Sequence, residues 1–197
     1  MTWHKDNLES LLEQVKSLNY LGKDVFSSPA IFKVKELYTD LLNGNVDDEL
    51  IYQAIHILGE ADFQQAVDFV AKYLNSDDPE LRSIAIHTVG LHWGLKEFSD
   101  SLKKLVNYDE DEYIRGKAAV GLGHIYKASK DINILELLLQ KLKDDKEDFD
   151  NKEEFYSAIL RVWGISSRDI YFITRNLKSE NDFDSQLIKK IESFCEK

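Results

Sequence analysis

The chain holds a single cysteine, Cys195, among 197 residues. That excludes an intrachain disulfide and any metal site built from several thiolates. Its two prolines, Pro29 and Pro79, and nine glycines are too few for a fold of many short strands joined by tight turns. Lys and Arg number 25 against 36 Asp and Glu, giving a net charge of −11. Nucleic-acid binding needs clustered cations that displace counterions, so this balance argues against it, and it would repel anionic lipid. Apolar runs such as those near 134–139 fall far short of the roughly 20 residues a membrane helix needs. The opening stretch MTWHKDNLES has no apolar leader core, so the expected location is the cytoplasm. Hydrolase elbows and phosphate-binding loops are not recognisable either. The Gly-Leu-Gly at 121–123 has no strand before it.

What the chain does contain is a repeated helical pattern, with apolar residues 43% of the composition. Four helix-like segments end on glycine: DDELIYQAIHILG at Gly59, DPELRSIAIHTVG at Gly90, DEYIRGKAAVGLG at Gly123 and KEEFYSAILRVWG at Gly164. Nine residues before each glycine stands an apolar residue (Leu50, Leu81, Ile114, Phe155), and five before it Ala54, Ala85, Ala118 or Ile159. Acidic residues and Pro79 suit the N-terminal turns. Alanine permits close helix approach, and the glycine is expected to end each helix in a left-handed conformation. A second amphipathic segment follows each: 63–74, 98–106, 132–143 and 168–178. Phe63, Val67, Val70 and Leu74 show the helical spacing. A hairpin of this kind cannot bury its apolar face alone and must stack on its neighbours.

The pattern Asp-Pro-x-Leu-Arg followed by Ala and Gly, as in DDPELRSIAIHTVG, resembles the HEAT-like repeat, and DEDEYIRGKAAVGLG keeps the acid, Arg115, Ala118 and Gly123. The resemblance spans 45–179 and implies an all-α, right-handed α-α solenoid of about four hairpins in a single domain. Residues 1–44 would form the N-terminal helical cap and 180–197 the C-terminal capping helix. It also implies that Arg82 and Arg115 pair with turn carboxylates of adjacent repeats, for which Asp78 and Asp111 are the natural partners. Ile51 and Tyr156 replace the arginine in the first and fourth units. The charged insertion 144–154 is expected to be a mobile loop.

Seventeen of the 36 acids fall in the four turns between hairpins. Capping accounts for one or two per turn at about 1 kcal/mol each; the surplus predicts a negative rim for a cationic partner. The expected contacts are Asp77 and Asp78; Asp109, Glu110, Asp111 and Glu112; Asp144, Asp145, Asp148 and Asp150. Trp93, Tyr126 and Asp62 occupy a common register after the glycine, where aromatic residues can anchor a partner, and Asp68 belongs to a second-helix contact face. Trp163 reads as core. The HILGE stretch at 56–60 resembles one His-Glu element of deoxyhypusine hydroxylase. That enzyme needs several such elements; His87 is not followed by a matching acid, and His92 and His124 sit in different registers near the inter-helix turns, so no metal and no other cofactor is expected. The expected function is therefore non-enzymatic protein binding. Its most concrete form is an acidic immunity protein that occludes the cleft of a basic nuclease toxin. A generic scaffold or adaptor, and a bilin-lyase-like enzyme subunit, are the alternatives that the repeat resemblance leaves open.

Overall fold

The computed structural model describes residues 3–196, and every regular element among them is helical. Two compact units divide the chain, Met1–Trp93 and Gly94–Lys197. The division falls inside the 45–179 stretch read as one run of repeats. The first unit holds α1 (Lys5–Tyr20), α2 (Ala30–Leu42), α3 (Ile51–Glu60), α4 (Val67–Ala71) and α5 (Pro79–Ile86). The second holds α6 (Ser99–Tyr108), α7 (Glu112–Ile125), α8 (Ile132–Leu142), α9 (Phe149–Trp163), α10 (Ser167–Thr174) and α11 (Ser185–Cys195). Within each unit the class is all-α, with the stacked-helix packing of an α-solenoid.

In the first unit α3 is the centre, packed by α1, α2 and α5. Its Ala54, Ile55, Ile57 and Leu58 are sealed from solvent, as are Leu8 and Val15 of α1 and Leu37 of α2. The segment expected as one helix over 63–74 is α-helical only across α4, with 3₁₀ turns at Gln64–Ala66 and Lys72–Asn75. Its stripe is nevertheless buried at Phe63, Val70 and Leu74. In the second unit α7 packs on α6 and α9, while α9 also takes α8 and α10.

The acidic starts behave as expected. Asp78 accepts a hydrogen bond from the Glu80 amide (2.8 Å) ahead of Pro79, and Asp111 from that of Tyr113 (2.9 Å). Asp148 caps α9 through the Asn151 amide at 2.8 Å. That last cap corrects the insertion. Residues 149–154 are the first turns of α9, in which Asn151 and Lys152 are buried, and only 144–148 lies outside the helix.

The glycines need a larger correction. Only Gly164 ends its helix in the left-handed region, at φ +106°. Gly59 and Gly123 lie inside α3 and α7, and Gly90 inside a π-helical turn over His87–His92. The left-handed residues of the first three repeats come later, at Asp62 (φ 49°), Gly94 (φ 59°) and Ala128 (φ 57°). Gly123 serves close packing instead: a Cβ there would stand 3.0 Å from the Ala158 Cα and 3.1 Å from its Cβ. Ala128 and Lys130 hold their unfavourable φ because their amides donate to the carbonyls of Arg161 (2.9 Å) and Val162 (3.0 Å) at the end of α9. These bonds satisfy carbonyls that a helix end leaves without intrahelical partners.

Candidate functional site

In the second unit the two acidic corners lie side by side, because an arginine ties them together. Arg115 donates through Nε (2.9 Å) and Nη2 (2.8 Å) to the two oxygens of Glu147, and through Nη1 to the Asp109 carbonyl at 3.0 Å. One guanidinium therefore grips the backbone of the 109–112 corner and the carboxylate of the next. Asn151 Nδ2 donates to Glu147 at 2.9 Å, and Lys141 Nζ stands 3.7 Å away. Burial alone would raise the Glu147 pKa. The hydrogen bonds from Arg115 and Asn151, with the Arg115 and Lys141 charges, outweigh it and hold the carboxyl below its ordinary value. The same bond, opposed by burial, lifts Arg115 above its usual range.

Arg115 thus pairs with a turn carboxylate of the adjacent repeat, as the resemblance implies, but not with Asp111. Asp111 is a helix cap, and the arginine's carboxylate partner is Glu147, thirty-two residues on. Asp78 is likewise a cap, while Arg82, 6% exposed, donates to the carbonyls of Ser76 (2.8 Å) and Asp77 (3.1 Å) in its own turn. The arginine position thus clamps the preceding turn in both repeats.

With caps and the Glu147 pair accounted for, Glu110, Glu112, Asp145 and Asp150 remain exposed at the second unit's corners. Asp109, Asp111 and Asp144 are half-buried, and Asp148 is exposed while capping α9. Two tyrosines that sequence reasoning passed over bracket the first corner. Tyr108 is 80% exposed and Tyr113 is 55% exposed, with Lys117 Nζ 4.9 Å from the Tyr113 ring. The sequence signal was an aromatic residue on each side of an acid run, NYDEDEY. In the first unit Asp77, Asp78, Asp62 and Asp68 are all exposed. Trp93 and Tyr126, by contrast, are 7% and 8% exposed and plug the packing, which withdraws them from any anchoring surface. Trp163 is half-buried, edge-on to Phe194 at 5.3 Å.

A second grouping lies in the first unit, away from the acidic turns. His56 and Glu60, one turn apart on α3, face each other with Nε2 3.5 Å from the carboxylate. The π-helical turn, marked by the Trp93 amide donating to the Thr88 carbonyl five residues back (3.0 Å), delivers His92 to the same place. One ligand atom from each of the three lies within 4.8 Å of the others. Desolvation lowers the pKa of both imidazoles, for His56 with help from Lys16 and against the pull of Glu60. The sequence set these histidines apart on separate repeats; the fold brings two of them to one carboxylate.

Residues 36–123, from α2 into α7, match the family model for HEAT repeats. No curated protein and no solved structure matches the chain. Stacked repeats of this kind present extended surfaces used for protein binding. Among the described residues no helix is long and apolar enough to cross a membrane.

Proposed function

We propose that the chain is a non-enzymatic binding protein that captures a basic partner, in its most concrete form an acidic inhibitor that covers the cationic cleft of a nuclease toxin. The observation that carries this reading is the corner 108–113. There Glu110 and Glu112 stand exposed between two exposed tyrosines, and the neighbouring corner adds Asp145 and Asp150. Tyrosine supplies large contact area at low entropic cost, and fixed anionic groups around it steer a cationic surface into register. Arg115 and Glu147 hold the two corners together, so the anionic groups are displayed on a firm frame. Occlusion requires no chemistry from the chain itself.

The test mixes the protein with a basic ribonuclease domain, ideally one encoded beside it, and follows RNA degradation. Inhibition is expected to weaken steeply as salt rises from about 50 to 500 mM, where screening shortens from over 10 Å to a few ångström. Reversing Glu110 and Glu112 to lysine is expected to slow association by about tenfold or more, and Tyr108→Ala to speed dissociation. Inhibition that ignores both salt and charge reversal would refute the electrostatic reading.

A further inference from the structure

We propose that His56, Glu60 and His92 form a binding site for a single first-row divalent cation of the Zn²⁺ class. Three atoms within 4.8 Å of one another leave a point no more than about 2.8 Å from each. The bonding distance of Zn²⁺ to nitrogen or oxygen is about 2.0–2.2 Å. Each side chain therefore has less than an ångström to travel, within the reach of small rotamer adjustments. Two imidazoles and one carboxylate are the borderline donors that this ion takes, and three protein ligands leave a fourth tetrahedral position to water.

Three further features fit a built site. The buried Nε2 of His92 has no hydrogen-bond partner among the described residues, and a buried orphan nitrogen beside a carboxylate and a second imidazole is what an absent ion would leave. Asn19 of α1 donates to Glu60 Oε2 at 3.2 Å and to its carbonyl at 2.8 Å. This is the outer contact that orients a ligating carboxylate. Gly59 supplies the room: a Cβ there would stand 2.9 Å from His92 Cδ2, so α3 admits the imidazole only because this position lacks a side chain. The His87 ring packs edge-on against His92 at 4.7 Å between centroids and steadies it. The third ligand comes from the π-helical turn, a register change that no His-Glu spacing in the sequence anticipates.

The experiment uses tag-free full chain in a Cys195→Ser background, which removes the one thiol, and measures Zn²⁺ affinity by competition with a chromophoric chelator. One ion per chain is expected. Glu60→Gln and His92→Ala should each weaken binding at least tenfold, and Asn19→Ala about tenfold, the range seen for outer-shell partners. Co²⁺ substituted into the parent protein should show the intense visible bands of a four- or five-coordinate ion. Parent and Glu60→Gln affinities within twofold of each other would overturn the proposal, as would a Co²⁺ spectrum matching the aqueous ion. Glu60→Gln is near-isosteric, so the comparison stands even where His92→Ala disturbs folding.

Discussion

Glu147→Ala is expected to lower the stability of the second unit by about 3 kcal/mol, the lower end of the 3–5 kcal/mol lost when one member of a buried ion pair is removed. An exposed pair would contribute about 0–1 kcal/mol, so burial decides the magnitude. The Glu147 side chain is 2% exposed and that of Arg115 16%; the arginine's residual access to water places the cost at the lower end. The variant strips Arg115 of its carboxylate, Asn151 of an acceptor and Lys141 of a neighbour in one step. A urea titration of parent and variant at pH 7 measures it. The pH dependence has a fixed sign. The folded carboxyl titrates below its ordinary value of 4.5. Its contribution is therefore fully present above that value and is lost as the pH falls through the lower folded one. Between pH 6 and pH 3 the parent should lose more stability than Glu147→Gln, which lacks the charge at both ends. Equal losses would mean that the pair contributes nothing to acid sensitivity.

Gly123→Leu is expected to cost about 3 kcal/mol, the upper end for overpacking a close-packed interface. At an exposed mid-helix site, removing a glycine would stabilise α7 by up to about 1 kcal/mol. Here the first atom added already meets the Ala158 Cα at 3.0 Å. That atom belongs to the backbone, so α7 and α9 would have to separate. Gly164 makes the contrast. It shares the repeat position, its Cβ would find Ala128 no nearer than 3.6 Å, and its constraint is the left-handed φ of +106°. Gly164→Asn, which tolerates that conformation, should therefore cost far less than Gly123→Leu. A smaller loss for Gly123→Leu than for Gly164→Asn would contradict the packing assigned to the α7–α9 seam.

Much of the fold was legible because local chemistry spoke for it. Asp78, Pro79 and Asp111 announce helix starts through the amides they cap, and Leu8, Val15, Leu37 and Leu58 mark one apolar face each. The glycines were legible as a repeat and misread as to role, since a sequence cannot distinguish a glycine that turns the chain from one that lets a helix come near. Residues 144–154 looked like a loop from their charge. The charge of Glu147 is neutralised by Arg115 from an earlier repeat, and Lys152 bonds Glu180 at 2.9 Å, twenty-eight residues later. Tyr108 and Tyr113 escaped notice because exposure of an aromatic residue is decided by its neighbours. The meeting of His92 with His56 was invisible for a different reason. It depends on an i→i+5 turn that moves the register off α-helical spacing, and helical periodicity assumes that register throughout.

The three glycines of α7, at 116, 121 and 123, also bear on how the chain is made. Each weakens an isolated helix by about 1 kcal/mol relative to alanine, so a 112–125 peptide should be coil in water. On the ribosome this segment emerges before 149–163, the helix whose closeness Gly116 and Gly123 serve. The nascent chain must then wait for its own later residues before this part of it can settle.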